Sequence, residues 1–170
     1  SKVFLNQQLL VSNPLLWSSD SPSLYRAVSE ISVDGKTVDN EITPFGIRTV
    51  EVRLDGFYLN GKRYPIKGTA NHQDHAGVGT AIPDLLNLYR LRLLKEMGSN
   101  GYRCAHNPPT PQLLDMCDSI GMLVLDENRH LWSTEEGIED LQTLIRRDRN
   151  HPSVFMWSLE NEENLQGTEM

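Results

Sequence analysis

Gly101-Tyr102-Arg103-Cys104-Ala105-His106-Asn107-Pro108-Pro109-Thr110-Pro111-Gln112-Leu113-Leu114-Asp115-Met116-Cys117-Asp118-Ser119-Ile120-Gly121-Met122-Leu123-Val124-Leu125 reads as strand, helix and strand in immediate succession. Residues 102–106 form a short strand-like run, and Thr110-Pro111 has the form of a helix N-cap followed by proline at the first helical position. Leu113, Leu114, Cys117 and Ile120 then recur at helical spacing until Gly121 stops the helix, and residues 122–125 follow as the next strand. Two strands joined by one helix run parallel, because only a crossover connection brings the chain back to the same end of the sheet.

The same alternation extends in both directions. Upstream, a strand over residues 66–70 leads through a polar loop to a helix over residues 84–97, with Leu85, Leu88, Leu91 and Leu94 on one side and Gly98 as its stop. Downstream, Ser133 and Glu136 form a capping box for a helix carrying Ile138, Leu141, Leu144 and Ile145, with Arg146 and Arg147 suited to its C-terminal dipole. Asn150-His151-Pro152 ends that helix, and residues 154–159 make a fourth strand. Strict alternation of this kind gives a parallel α/β sheet, either half of a β/α barrel or a small doubly wound sheet. No glycine-rich phosphate loop follows any of the strands, which favours the first half of a TIM (β/α)8 barrel.

Residues 1 to about 50 read differently. They are rich in Ser, Asn, Pro and Asp, and the alternating run Ala27-Val28-Ser29-Glu30-Ile31-Ser32-Val33 meets a hairpin turn at Asp34-Gly35. A closed sandwich takes about seven strands over about 100 residues, so this segment is expected to be the C-terminal part of an immunoglobulin-like β-sandwich whose start lies outside the chain. A second hairpin joins Phe57-Tyr58-Leu59 to Lys62-Arg63-Tyr64 through Asn60-Gly61. The expected division is therefore 1–50 for the sandwich strands and 51–170 for strands 1 to 4 of the barrel.

Composition narrows the function. The chain has 170 residues, 38% hydrophobic and 23% charged, with a formal net charge of -7. An acidic chain is poorly suited to sequence-independent phosphate binding, so nucleic acid is not an expected partner. No apolar run approaches the roughly 20 residues of a membrane span, and the first residues lack the layout of a signal peptide. Cys104 and Cys117 lie in apolar segments and read as packing residues rather than a metal or redox pair.

Barrel active sites are built from the C-terminal ends of strands, and all four predicted ends are polar. They supply Asn71, His72 and Asp74; His106 and Asn107; Asp126, Glu127 and Asn128; and Asn161 with Glu162. A lone histidine is more often structural than functional, and Glu160, Glu163 and Glu169 can be read as a solvated acidic tail, yet coincidence at four strand ends points to a site. Glycoside hydrolysis needs one carboxylic acid to protonate the leaving oxygen and a second carboxylate, about 5–5.5 Å away in retaining enzymes, to attack the anomeric carbon.

The stretch Asp148-Arg149-Asn150-His151-Pro152-Ser153-Val154-Phe155-Met156-Trp157-Ser158-Leu159-Glu160-Asn161-Glu162 resembles the acid/base signature of glycoside hydrolase family 2. Asn100-Gly101-Tyr102-Arg103-Cys104-Ala105-His106-Asn107-Pro108 resembles the family's other signature. Supporting matches are Trp17 with Pro22-Ser23-Leu24-Tyr25, Phe45-Gly46-Ile47-Arg48, and residues 68–74. The resemblance implies a retaining β-glycosidase with Glu162 as acid/base and Asn161 on the sugar 2-hydroxyl. His72, Asp74 and His106 would line the sugar pocket, and Arg103 would point toward a nucleophile beyond residue 170. Trp157 remains a core residue on this reading.

The substrate class implied is a β-linked galactoside or oligosaccharide, with β-glucuronidase activity as the alternative, because His106-Asn107-Pro108-Pro109 and Asn71-His72-Gln73-Asp74-His75 look most like the galactosidase branch. No cofactor is expected. Some relatives bind magnesium beyond the third strand, but Asp126-Glu127-Asn128-Arg129-His130-Leu131 offers no matching ligand pair, and His72 with His75 lacks a third zinc ligand. A homo-oligomer is compatible with the resemblance. Three rival readings are a sugar-binding module, a metal-dependent hydrolase and a catalytically inert fragment. The first lacks an aromatic excess at 7% and the second lacks arranged ligands. The third describes the isolated chain and not a different family.

Overall fold

The structure, a computed structural model, describes residues 6–130 and 134–162. Strands β1 (Tyr25–Val33) and β2 (Lys36–Phe45) pair antiparallel about Asp34-Gly35, whose φ angles of 49° and 73° are the paired left-handed conformations of a type I′ turn. Val28, Ile31, Val33, Val38 and Ile42 are all exposed, so among the described residues no second sheet covers this hairpin. A three-stranded antiparallel sheet follows, made of β3 (Val50–Arg53), β4 (Gly56–Leu59) and β5 (Lys62–Arg63). Asn60 and Gly61 form the expected turn, with φ of 53° and 75°. Strand β3 was not anticipated, because two valines alternating with charges over 4 residues are too short a periodic signal.

The four-stranded sheet is parallel throughout, in the order β6 (Gly68–His72), β7 (Gly101–Ala105), β8 (Leu123–Glu127) and β9 (Val154–Ser158). Helices α1 (Asp84–Glu96), α2 (Pro111–Ile120) and α3 (Glu135–Asp148) connect successive strands. Thr110 caps α2 as predicted, accepting a hydrogen bond from the Leu113 amide at 3.3 Å. Helix α3 differs: its N-cap is Thr134, whose side chain accepts from the Gly137 amide at 3.2 Å, and Ser133 lies outside the described residues. In α1, Leu85 is 81% exposed whereas Leu91 is buried. Leucines every three residues turn 300° per step rather than a full circle, so the stripe drifts off the core face over the helix.

Two strand boundaries matter for function. Strand β6 begins and ends two residues later than predicted, which puts His72 on the strand, and β8 continues through Glu127 rather than stopping at Leu125. Polar residues at strand ends hide this from a hydrophobic pattern. Alternation along β7 and β8 sends Tyr102, Cys104 and Val124 toward the helices, where they pack with Leu91, Leu113, Leu114, Cys117, Met122 and Val154. Trp157 is partly buried against the same cluster. Both cysteines are free and buried, and burial pushes their thiols well up, which fits inert packing. Arg103 takes the opposite face of the sheet.

The N-terminal segment is tied to this α/β unit. The Trp17 indole N–H donates to the Asp118 carbonyl at 2.8 Å, and Lys95 Nζ reaches the carbonyls of Ser19 at 2.9 Å and Gly121 at 3.1 Å. The Arg48 guanidinium donates to the carbonyls of Pro152 and Val154 at the start of β9. Gly121 caps α2 with φ of 72°, and a Cβ there would sit 2.4 Å from the Ser19 carbonyl oxygen, so both its conformation and its contact require glycine. Near the start of β9, Phe155 meets Phe57 of the small sheet edge to face at 5.1 Å.

Candidate active site

The C-terminal ends of β7, β8 and β9 converge on one carboxylate. Glu127 closes β8 with a side chain that has 0% solvent exposure. Arg103 Nε donates to Glu127 Oε2 at 2.7 Å, and His106 Nδ1 lies 2.7 Å from Glu127 Oε1. Arg103 Nη2 in turn donates to Asn161 Oδ1 at 2.8 Å, so one guanidinium links three strand ends. Arg103 Nη2 also lies 3.4 Å from His106 Nδ1. Burial alone would raise the Glu127 carboxyl, but hydrogen bonds from Arg103, His106 and Ser158 outweigh it and hold the group below the usual glutamate range. Glu127 is therefore a buried ion at neutral pH.

The first strand end adds His72, whose ring stands edge-on to that of His106 with centroids 5.1 Å apart. Arg90 of α1 anchors this end by donating to the His72 carbonyl at 2.9 Å and the Asp74 carbonyl at 3.3 Å. The Ala105–His106 peptide is cis. Glu162 follows Asn161 directly, is exposed, and has φ of 45°, a left-handed conformation that residues with a Cβ seldom adopt.

Of the residues anticipated from sequence, Arg103, His106 and Asn161 form one bonded cluster, His72 joins it through ring contact, and Glu162 adjoins it along the chain. Asp74 stands apart: its side chain is exposed on the loop after β6, and among the described residues no hydrogen bond ties its carboxylate to the cluster. Glu127, noted among the polar residues of the third strand end but given no role there, is the hub. Its parity with Leu123 and Leu125 puts it on the Arg103 face, but that signal appears only once β8 is known to run to residue 127.

Asp126 is also fully buried, yet faces the helices. No donor reaches either carboxyl oxygen, and the hydrogen bond open to it is with the Asp148 carboxylate, which requires Asp126 to carry a proton. Desolvation and the Asp148 charge push it up to about 8. Arg147 neutralises Asp148 through Nε and Nη2, each at 2.6 Å.

Among the described residues, the group suited by composition to a cation is Asp115, Asp118 and His151, and it includes neither His72 nor His75. Both Asp118 oxygens are already engaged, one by His151 Nδ1 at 2.6 Å and the other by the Ser153 amide at 3.0 Å. Burial would lower the His151 pKa, but its Asp118 hydrogen bond and neighbouring carboxylates raise it.

The model of glycosyl hydrolases family 2, TIM barrel domain, matches residues 50–134 and 132–170, and a second model, glycosyl hydrolases family 2, matches residues 1–48. The chain belongs to glycosyl hydrolase family 2. Its parallel sheet with intervening helices is the first half of a TIM barrel, preceded by the C-terminal strands of an immunoglobulin-like sandwich.

Beta-galactosidase BoGH2A of Bacteroides ovatus is 42% identical over 174 residues, covering 95% of this chain and 20% of that protein. The crystal structure of a beta-glycosidase from Bacteroides vulgatus superposes with a TM-score of 0.84 at 41% identity, over 89% of this chain and 21% of that one. Bacteroides uniformis beta-glucuronidase 3 gives a TM-score of 0.78 at 38% identity, over 88% of this chain and 20% of that one. The chain thus spans about a fifth of the length of such relatives.

Proposed function

We propose that the full-length protein hydrolyses terminal β-D-galactosides with retention of configuration, using Glu162 as acid/base. The observation that carries this reading is the Arg103–Glu127–His106–Asn161 cluster at the strand ends, with Glu162 at its edge. A protonated Glu162 gives its proton to the glycosidic oxygen as a carboxylate attacks the anomeric carbon. The ionised Glu162 then takes a proton from the water that releases the sugar. Asn161 contacts the sugar 2-hydroxyl, and His72, His106 and Asp74 line the pocket.

Glu127 is an unsuitable nucleophile because both its oxygens are held by cationic or N–H donors. On the family resemblance we assign the attacking carboxylate to chain beyond residue 170, so the 170-residue chain alone should give no turnover. No metal or cofactor takes part in this scheme.

A panel of nitrophenyl glycosides tests the sugar. The β-galactoside should be preferred, while preference for the β-glucuronide would transfer the assignment to the activity named for the Bacteroides uniformis relative. NMR of the first-formed sugar tests the mechanism, since early α-anomer would mean inversion.

A further inference from the structure

We infer that Glu127 is a positioning residue: its carboxylate fixes the ring of His106 directly and the amide of Asn161 through Arg103. It thereby decides which hydrogen-bonding atoms two strand ends present to a sugar. The inference rests on the glycosidase reading above.

An ionised carboxylate only accepts hydrogen bonds. His106 Nδ1, 2.7 Å from Glu127 Oε1, must therefore carry the proton, which leaves Nε2 as the acceptor of the neutral ring. The alternative partner for Nδ1, Arg103 Nη2 at 3.4 Å, would require Nδ1 to be unprotonated, setting two lone pairs against each other at the shorter contact. A guanidinium has no acceptor. Asn161 can meet Arg103 Nη2 at 2.8 Å only with its carbonyl oxygen, so its NH2 is the end left for a ligand.

Asn161 is thus oriented as a donor and His106, in its neutral form, as an acceptor. Both choices trace back to a carboxylate whose own side chain is fully buried. Glutamine at position 127 would disturb the arrangement, since its oxygen can face only one partner: turned to Arg103, it points its NH2 at His106 Nδ1 and reverses that ring's tautomer, and turned to His106, it releases Arg103.

The test compares wild type, Glu127→Gln, Arg103→Lys and Asn161→Ala in the full-length protein, on an aryl β-glycoside and on its 2-deoxy counterpart. If Glu127 acts through Asn161, the ratio of kcat/KM on the 2-hydroxy substrate to that on the 2-deoxy substrate falls roughly 10-fold or more in each variant, whatever loss the two substrates share. Combining Glu127→Gln with Asn161→Ala adds little. Arg103→Lys keeps a cation beside Glu127 but cannot bridge to Asn161, so it tests the relay even if Glu127→Gln folds poorly.

Equal losses on both substrates would overturn the inference. A second readout is independent of turnover: in crystals of Glu127→Gln or Arg103→Lys, the Asn161 amide should leave its place. An Asn161 amide unmoved in both variants would overturn the inference even if wild type is fully active. A wild type that hydrolyses no β-glycoside would instead remove the functional reading and leave the crystals to decide the positioning.

Discussion

Asp126 and Glu127 are adjacent, both fully buried, and chemically opposite. Strand alternation turns Glu127 toward Arg103 and His106, where donors keep it ionised, and Asp126 toward the helices, where it shares a site with Asp148 and holds a proton up to about pH 8. Burial therefore does not decide the charge of a carboxyl group; the sign and reach of the neighbouring dipoles do. The inner face of β8 holds its carboxyl group ionised between two donors, and the outer face keeps its own protonated beside Asp148.

The contrast is tested most strongly at the rim of the inner face. Glu162→Gln in the full-length protein should lower kcat/KM by about 10²–10⁴ for substrates with poor leaving groups. Activated aryl glycosides should lose much less in the glycosylation step, and pre-steady-state bursts on paired substrates will show whether they do. Comparable losses on both would move the acid role elsewhere.

Removing the carboxylate of Glu127 strands the Arg103 charge. Urea unfolding should find Glu127→Ala less stable by about 2–3 kcal/mol, below the value for a fully buried pair because Arg103 keeps 35% of its side chain in solvent.

On the outer face the sign reverses. The folded value of Asp126, about 8, lies above that of an unfolded aspartate, so its contribution is fully present below about pH 4 and is lost as pH rises to about 8. Asparagine imitates the protonated acid without ionising. Asp126→Asn should therefore match wild type near pH 4 and exceed it by on the order of 1–3 kcal/mol at pH 8. A difference that does not grow across that range would mean Asp126 is already ionised.

His151 supplies the smallest effect. Its raised pKa makes its contribution full below the unfolded value and lost as pH rises through the folded one. The stability gap between wild type and His151→Gln should be under about 1 kcal/mol at pH 5.5 and should narrow by pH 8. Thermal melts at the two pH values measure it.

What could be read from the sequence was local. Asn60-Gly61, Asp34-Gly35 and Thr110-Pro111 carry their geometry in two residues, and Gly121 stops a helix whatever surrounds it. The βα alternation, and hence the parallel sheet, followed from such punctuation. Arg103, His106 and Asn161 were legible because each stands in a recognisable stretch, His106 and Asn161 just past strand ends and Arg103 in the middle of β7.

Glu127 was not legible as the hub, because its face depends on how far β8 extends and how it pairs with β7, which are tertiary facts. The Asp126–Asp148 pair joins residues 22 positions apart through a strand and a helix, and nothing in either neighbourhood announces it. Helix α1 misled for a simpler reason: four evenly spaced leucines look like a stripe until the angle between them is summed.

The Arg48 contacts reach beyond stability. Its guanidinium grips the carbonyls of Pro152 and Val154, at the base of the strand whose far end carries Asn161 and Glu162. A breeder of chimeric glycosidases who exchanged barrels downstream of Arg48 would keep the reading frame intact yet hand the new barrel a stranger's brace. Inheritance of the catalytic half should therefore be linked to that of the segment from Trp17 to Arg48, and shuffled libraries should recover the two as one block.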